Sequence, residues 1–136
     1  MSDRIKKTFE SKRKILVTFT TAGDPDLDTI LEILNTIINN GVDVIEIGMP
    51  FSDPMADGPI IQESSVRSIA NGTKINDILE IVNKVRKINN EIPVILMVYY
   101  NSIFNMGIKN FISKTPTTFV VLGSFFCHFY NHKVFN

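Results

Sequence analysis

The sequence has few cysteines and histidines, and its positive and negative charges balance. It has one cysteine, two histidines and a formal net charge of +0 at pH 7 in 136 residues. A single cysteine, Cys127, excludes an internal disulfide and fits a reducing compartment. Lys+Arg and Asp+Glu number 14 each, so no net field favours binding to nucleic acid or to an anionic lipid surface. The expected location is the cytoplasm.

Long apolar segments are also missing. The longest apolar run near the end, 119–127, is interrupted by Gly123 and Ser124, and a membrane-spanning helix needs about 20 apolar residues. Charge begins at Asp3, so the N-terminus lacks the apolar stretch of a secretory signal. The basic residues between positions 4 and 14 are broken up by acids and predict a solvated helix face.

No metal or cofactor motif is complete. Cys127-His128 followed by His132 resembles a metal-ligand spacing, but a zinc site takes four ligands and no second ligand pair is near. The sequence also contains no P-loop, no GxGxxG and no Ser/His/Asp arrangement. We therefore predict that the chain itself carries no metal and no cofactor.

Short β-branched runs alternate with segments of helical periodicity, which predicts an α/β fold with a parallel sheet. The predicted strands are 15–20, 42–47, 92–98 and 118–122; the predicted helices are 27–38, 62–70 and 76–88, followed by a short amphipathic segment over 106–113. Asp26 or Asp28 is expected to cap the first of these helices, and Gly41 to end it.

The most informative stretch is 45–59, which reads IEIGMPFSDPMADGP. It leaves the second predicted strand and carries three carboxylates, Glu46, Asp53 and Asp57, among three prolines. Proline fixes φ and removes a backbone donor, so this loop is expected to be stiff. A stiff loop that holds carboxylates after a strand is a common way to position acid–base groups.

Other unusual polar residues also follow strands. Gly23-Asp24 comes after the first strand, and Tyr99 and Asn101 come after the third. Because the carboxyl ends of parallel strands meet at one edge of the sheet, these residues are expected to form one site. The residues alone leave the reaction open.

The segment 45–58 resembles the signature of the tryptophan synthase alpha subunit family. Three further stretches, FTTAGDP at 19–25, DGPIIQ at 57–62 and YYNSIFNMG at 99–107, resemble the same family in the same order. The likeness covers about 12–114. It implies a parallel (β/α)8 TIM barrel, here its first half with four βα units, and a lyase that splits indole-3-glycerol phosphate into indole and glyceraldehyde 3-phosphate in tryptophan biosynthesis.

The resemblance implies distinct catalytic roles for two carboxylates. Glu46 matches the family's acid–base glutamate, and its apolar neighbours Ile45 and Ile47 suit a carboxyl group that donates a proton. Asp57 matches the aspartate that accepts a hydrogen bond from the indole N–H and stabilises positive charge on the ring.

The resemblance also implies an indole wall and a partner surface. Phe19, Ile61 and Tyr99 match substrate-binding positions around the indole. The positions that match contacts with the beta subunit, which receives the indole and carries pyridoxal phosphate, are Pro50, Asp53 and Asn101.

Structural explanations compete with each of these roles. Glu46 is also compatible with a strand-end salt bridge, and Asp53 and Asp57 with turns in which the side chain bonds its own backbone. Phe19 and Tyr99 are also compatible with a plain aromatic core, and Gly23-Asp24-Pro25 with a simple turn.

The likeness ends near residue 114. Residues 1–114 are expected to form the N-terminal half of the barrel, and 115–136 a divergent tail produced by a frameshift or a truncated reading frame. An eight-unit barrel takes about 250 residues and binds phosphate in the loops after strands seven and eight. Little or no activity is therefore expected from this chain alone.

Two other functions remain open. The first is a non-catalytic remnant, a pseudogene product that at most docks on the beta subunit. The second is an unrelated half-barrel that dimerises to close a ring and binds another phosphorylated metabolite.

Overall fold

The structure is a computed structural model that describes residues 3–10, 14–114 and 119–124. Six helices and four strands occur in these residues. In chain order they are α1 Asp3–Glu10, β1 Val17–Thr21, α2 Leu27–Asn39, β2 Val44–Gly48, α3 Pro59–Ala70, α4 Ile75–Ile88, β3 Val94–Tyr99, α5 Tyr100–Met106, α6 Ile108–Lys114 and β4 Phe119–Ser124.

The four strands form one parallel sheet in the order β1-β2-β3-β4, so each strand pairs with the next one along the chain. Helices connect the successive strands, as parallel pairing requires. This sequential arrangement confirms the predicted α/β architecture and is the strand order of a barrel wall.

One face of the sheet packs against helices to form the hydrophobic core. Ile45 and Ile47 of β2 and Leu96 of β3 are buried in a single cluster with residues of α2 and α4. The α4 helix buries five aliphatic side chains, namely Ile78, Leu79, Ile81, Val82 and Val85. This layer fixes the positions of the strand ends that carry the polar residues.

The opposite face of the sheet is less covered. Phe19, Glu46 and Ile95 are register partners on β1, β2 and β3, so their side chains lie in one row across the sheet. All three are half-buried. A carboxylate in an otherwise apolar row marks this face as different from the helix-covered face.

The strands lie where the pattern predicted them, with a consistent offset. Each of the first three begins two residues later than predicted and ends one residue later. The early residues bond to loops or to the end of α2: the Leu16 N–H donates to Asp43 Oδ2, the Val42 N–H to the Ile37 carbonyl and the Ile92 N–H to Asn89 Oδ1. Backbone groups used in this way cannot join the strand ladder.

Three helical features differ from the prediction. The third helix begins at Pro59 rather than Gln62, because proline suits the first helical turn, where its missing N–H has no partner to lose. The segment predicted over 106–113 is α6, Ile108–Lys114. A separate short helix, α5, precedes it, and Gly107 with φ +85° divides the two.

Both predicted limits of α2 are confirmed. The Asp26 side chain accepts hydrogen bonds from the Asp28 and Thr29 N–H groups, and Gly41 follows the helix with φ +87°. The fourth strand, predicted at 118–122, is β4, although Thr118 lies outside the described residues.

Two features are absent from the residues that the structure describes. None of the helices there is long and apolar enough to cross a membrane. The described part of the chain also has no group of three or more His, Cys, Asp or Glu residues that could hold a metal ion. Cys127, His128 and His132 lie outside the described residues.

Candidate functional site

A cleft opens at the carboxyl ends of β1, β2 and β3, where the polar residues were predicted to meet. Its free cavity volume is about 10 Å³, and the wider space among the lining residues, about 270 Å³, includes open solvent. The strands, the loop after β2 and the start of α3 all contribute to it. Its lining residues are Phe19, Thr21, Gly48, Met49, Asp57, Ile61, Ser65, Met97, Val98 and Tyr99.

The cleft floor depends on a close approach between β1 and β2. The Phe19 ring lies directly against Gly48, so closely that a Cβ at position 48 would overlap the ring. Only glycine leaves room for the tip of the aromatic ring to approach the neighbouring strand this closely. The glycine that ends β2 therefore allows Phe19 to form one wall of the cleft.

Asp57 is held at the cleft by Tyr99. The Tyr99 hydroxyl donates a hydrogen bond to Asp57 Oδ2 at 3.0 Å, and the Ala56 N–H donates to the Tyr99 oxygen at 3.4 Å. The Tyr99 ring also stacks on Phe51, with ring centroids 4.5 Å apart. Burial, and then the hydrogen bond to Asp57, raise the pKa of Tyr99, so its hydroxyl keeps the proton that it donates.

The loop from Met49 to Gly58 is ordered by its own hydrogen bonds. The Met55 N–H donates to the Asp53 carbonyl at 2.9 Å, and the Asp57 N–H donates to the Pro54 carbonyl at 3.0 Å. Gln62 of α3 reaches back and donates to the Asp57 carbonyl at 2.8 Å. These bonds agree with a stiff loop, and they fix the backbone of Asp57 relative to α3.

The α3 helix is attached to β1 and to the loop after it by polar contacts. Ser64 Oγ lies 2.6 Å from Thr21 Oγ1, and the Ser68 hydroxyl donates to the Ala22 carbonyl at 2.6 Å. Arg67 forms a bidentate ion pair with Asp24, in which Nε lies 2.8 Å from Oδ1 and Nη2 lies 2.9 Å from Oδ2. Because Asp57 and Ile61 lie at the start of this helix, the polar contacts also set their positions.

Glu46 lies on the same sheet face as Phe19 but is not among the residues that line the cleft. It is two residues before Gly48 on β2 and is half-buried. The structure therefore brings Phe19, Asp57, Ile61 and Tyr99 together in one cleft and places Glu46 deeper along the same face.

The three residues predicted to contact a partner lie outside the cleft. Pro50 and Asp53 are in the loop after β2, and Asn101 is in α5. Asp53 and Asn101 are exposed, and Pro50 is half-buried.

Several cleft residues were not predicted, although simple periodicity identifies them. Thr21 is two residues after Phe19 and Met97 is two before Tyr99, so each shares a sheet face with a predicted residue. Ser65 is four residues after Ile61, one helical turn further along α3.

Chemically, the cleft has apolar aromatic and aliphatic walls with one carboxylate at the edge. Phe19, Ile61 and Met97 supply apolar surface, and Asp57 supplies an acceptor. One oxygen of that carboxylate already accepts from Tyr99, which leaves the other for a ligand. The arrangement suits a flat apolar ring that carries a hydrogen-bond donor.

Comparison with known proteins identifies relatives along most of the chain. A family model described as tryptophan synthase alpha chain matches residues 5–121, which extends past residue 114. The tryptophan synthase alpha chain of Thermoanaerobacter sp. is 49% identical over 117 residues, covering 83% of this chain and 44% of that protein. That of Clostridium kluyveri is 49% identical over 111 residues, covering 82% and 42%. The chain thus spans less than half the length of these curated relatives.

Solved structures agree with the sequence comparison. The crystal structure of tryptophan synthase subunit alpha from Legionella pneumophila matches with a TM-score of 0.79 at 40% identity, over 84% of this chain and 45% of that one. A structure of tryptophan synthase from M. tuberculosis matches with a TM-score of 0.76 at 26% identity, over 82% and 46%.

Proposed function

Because the chain belongs to the tryptophan synthase alpha chain family, we propose that it carries the indole-binding half of a lyase site. The reaction is the cleavage of indole-3-glycerol phosphate into indole and glyceraldehyde 3-phosphate. The observation that carries this proposal is the Asp57 carboxylate, held by Tyr99 at the edge of a cleft whose walls include Phe19 and Ile61. Residues 1–114 form the N-terminal half of a TIM barrel in this proposal.

The proposed chemistry needs two proton movements. The indole ring gains a proton at the carbon that holds the side chain, and the side-chain hydroxyl loses one as the carbon–carbon bond breaks and an aldehyde forms. Glu46 is proposed as the acid–base group, since it lies on the same sheet face as Phe19. Asp57 accepts a hydrogen bond from the indole N–H and stabilises the positive charge that develops on the ring.

A chimera tests this assignment. Residues 14–114 replace the corresponding segment of a full-length alpha chain, and indole release is measured in the presence of a beta subunit. The chimera is expected to be active. E46Q is expected to lower kcat by about 10²–10⁴-fold, as the loss of a general acid–base group does. D57N is expected to lower it by about 10²-fold, as the loss of electrostatic stabilisation does.

Matched controls separate chemistry from charge. D53N removes a carboxylate from the same loop outside the cleft, and E63Q removes an exposed one from α3; both are expected to retain kcat within about twofold, because surface changes are small. A folded chimera that releases no indole, or an E46Q variant with full activity, contradicts the assignment.

The chain itself is proposed to have low activity. A TIM barrel binds phosphate mainly in the loops after strands seven and eight, and the described residues contain four strands. The described half is therefore expected to bind the indole part of the substrate more effectively than the phosphate part. Turnover by the purified chain close to that of the chimera would contradict this expectation.

Docking on a beta subunit without catalysis is the second candidate function. The loop after β2 favours it: Met55 is 77% exposed beside Asp53, and Ile60 is 79% exposed at the start of α3. A partner docked on this loop would remove these apolar side chains from water, which favours binding. Isothermal titration calorimetry of the chain with a beta subunit measures the affinity and tests this candidate. M55D is expected to weaken binding, and equal binding by the variant would exclude this surface.

A further inference from the structure

Phe51 lies in the loop after β2, and its ring stacks on the ring of Tyr99. The two ring centroids are 4.5 Å apart, and the ring planes are 16° from parallel. Tyr99 is 7% exposed, and Phe51 is half-buried. Phe51 is not among the residues that line the cleft. An effect of Phe51 on a ligand in the cleft therefore has to pass through another residue.

The pairing of β2 with β3 brings the two rings together. Gly48 of β2 is the register partner of Met97 on β3, and the Met49 N–H then donates to the Met97 carbonyl at 2.8 Å. The first residue of the loop is therefore still attached to β3. Phe51 is two residues after Met49, and Tyr99 is two residues after Met97. Because paired strands lie about 5 Å apart, the two side chains are within reach of each other.

The stack limits where the Tyr99 hydroxyl can lie. A tyrosine hydroxyl extends along the axis of its ring, so a ring that is held against tilting keeps its oxygen in one place. This oxygen donates to Asp57 Oδ2 at 3.0 Å and accepts from the Ala56 N–H at 3.4 Å. Phe51 also covers one face of the ring and reduces its contact with water, and a hydrogen bond is stronger where less water competes with it.

A fixed Tyr99 hydroxyl in turn restrains the Asp57 carboxylate. The carboxylate is planar, so a hydrogen bond that holds Oδ2 also limits rotation of the whole group. Gln62 donates to the Asp57 carbonyl at 2.8 Å, which holds the backbone of Asp57 and leaves its side chain free to turn. The side chain of this cleft residue is therefore held through Tyr99.

We propose that Phe51 is a positioning residue for the lyase reaction: its ring holds Tyr99 in the orientation that fixes the Asp57 carboxylate at the cleft. This inference rests on the proposed function, because Asp57 is taken to stabilise positive charge on the indole ring. Such stabilisation requires an acceptor that is already in place when the charge develops. Loss of the Phe51 ring therefore lowers kcat more than it changes KM, since the ring itself does not line the cleft.

Steady-state kinetics of the chimera, at a saturating concentration of beta subunit, test the effect on the reaction. F51A is expected to lower kcat about tenfold, which is less than the effect of D57N, and to change KM less than about threefold. F51Y keeps the stacked ring and is expected to retain kcat within about twofold. F51L keeps apolar volume without the ring and is expected to lower kcat about threefold. It replaces F51A as the test if that variant does not fold.

Two further measurements identify the route of the effect. In the D57N background, F51A is expected to lower kcat by less than about a further twofold, because Phe51 acts through the Asp57 carboxylate. Absorbance titration of the unmodified chain, with Y99F identifying the signal, gives a readout that does not depend on the reaction. The pKa of Tyr99 is expected to fall towards its ordinary value in F51A, because the ring is less buried and its bond to Asp57 is weaker. In the D57N background this fall is expected to be smaller.

The matched control is F104A, which removes the phenylalanine of another tyrosine pair, with ring centroids 6.0 Å apart at Tyr100. It is expected to retain kcat within about twofold and to leave the pKa of Tyr99 unchanged. A kcat loss by F51A that is equally large in the D57N background, a rise in KM at unchanged kcat, or a Tyr99 pKa that F51A does not move would overturn the proposal. An inactive chimera with the expected shifts in the pKa of Tyr99 would reject the lyase assignment and retain Phe51 as the residue that holds Tyr99 and Asp57.

Discussion

The α3 and α4 helices follow one another along the chain but are held in place by different interactions. The buried side chains of α4 are five aliphatic residues that pack into the core. Those of α3 are three serines, Ser64, Ser65 and Ser68, and two of them bond to β1 or to the loop after it.

This difference matters for the site. Burial of apolar surface is non-directional, so α4 can shift slightly without losing much free energy. Hydrogen bonds weaken steeply when distance and angle change, so the serines of α3 specify one orientation. The helix that carries Ile61 and follows Asp57 is therefore the one positioned by directional contacts.

The largest effect is expected in α4, the helix that is held by apolar packing. I78A in α4 removes most of a side chain that is 2% exposed and is expected to lower the free energy of unfolding by about 3 kcal/mol. Urea denaturation measures the change. I88A, at a position that is 48% exposed on the same helix, is the control and is expected to cost less than about 1 kcal/mol. Equal losses for the two variants would contradict the burial described for α4.

The second effect tests how tightly α3 sits on the loop after β1. G23A puts a Cβ into Thr73 and close to Ser68 at a residue with φ +73°, and is expected to cost about 2–3 kcal/mol. G72A provides the matched control, since its φ is +78° and nothing lies within 4 Å of the added Cβ. G72A is therefore expected to lose only the stability that the backbone strain costs, about 1–2 kcal/mol. Both are measured by urea denaturation, and a G23A cost no larger than that of G72A would rule out close packing there.

The third effect isolates one directional contact. S68A leaves the Ala22 carbonyl without its buried donor and is expected to lower the free energy of unfolding by about 1–2 kcal/mol. S113A removes an exposed serine that makes a similar bond to a nearby carbonyl and is expected to cost less than about 0.5 kcal/mol. Both variants are measured by thermal denaturation. Equal losses of stability for S68A and S113A would mean that the buried serines do not hold α3 in place.

The fourth effect concerns the loop that leads into α3 and depends on pH. The folded pKa of Tyr99 is raised, first by burial and then by the bond to Asp57. A raised pKa means that the stabilising contribution is complete below the unfolded value of about 10 and is lost as pH rises through the folded value. Absorbance titration at alkaline pH measures this group, with Y99F identifying its signal.

The titration of Tyr99 is compared between variants that do and do not keep the Asp57 carboxylate. D57N removes the carboxylate but leaves Tyr99 buried, so the pKa of Tyr99 is expected to fall part of the way towards its ordinary value. The D53N variant, changed in the same loop, is expected to shift it much less. A Tyr99 signal that does not move in D57N would mean that the two side chains do not interact in solution.

The smallest effect is expected at the surface of α3. Arg67 pairs with Asp24 at 2.8 Å, but its side chain is 53% exposed, and exposed ion pairs contribute little to stability. R67M is expected to give the smallest change of the five, and a smaller one in 1 M salt than at low salt. If R67M lowered the free energy of unfolding as much as S68A does, the surface ion pair would hold α3 as strongly as its buried serines do.

The fold was predictable to the extent that it depends on apolar periodicity. The stripe of Ile78, Ile81, Val82 and Val85 identified α4, and β-branched runs located the first three strands to within two residues. Ile88, the last residue of the same helix, is 48% exposed. Loop hydrogen bonds at the strand starts and the seven residues of α5 carry no such pattern, so their limits depend on tertiary structure.

The site was predictable where its residues lie in stretches that resemble the family. The resemblance placed Phe19, Asp57, Ile61 and Tyr99, and the structure gathers them in one cleft. It assigned Tyr99 to an apolar wall, whereas the hydroxyl of Tyr99 also bonds Asp57 across 42 positions of sequence. The Thr21–Ser64 bond joins residues 43 positions apart, and no local pattern predicts contacts of that kind.

The sequential order of the sheet has a consequence for how the chain acquires its structure. Because β1, β2, β3 and β4 are neighbours in the same order as they are in the chain, each strand pairs with one synthesised shortly before it. Each loop closure then spans only the connection between one strand and the next. During synthesis, β2 can pair with β1 before β3 leaves the ribosome, so the wall of the cleft is assembled strand by strand from the amino terminus.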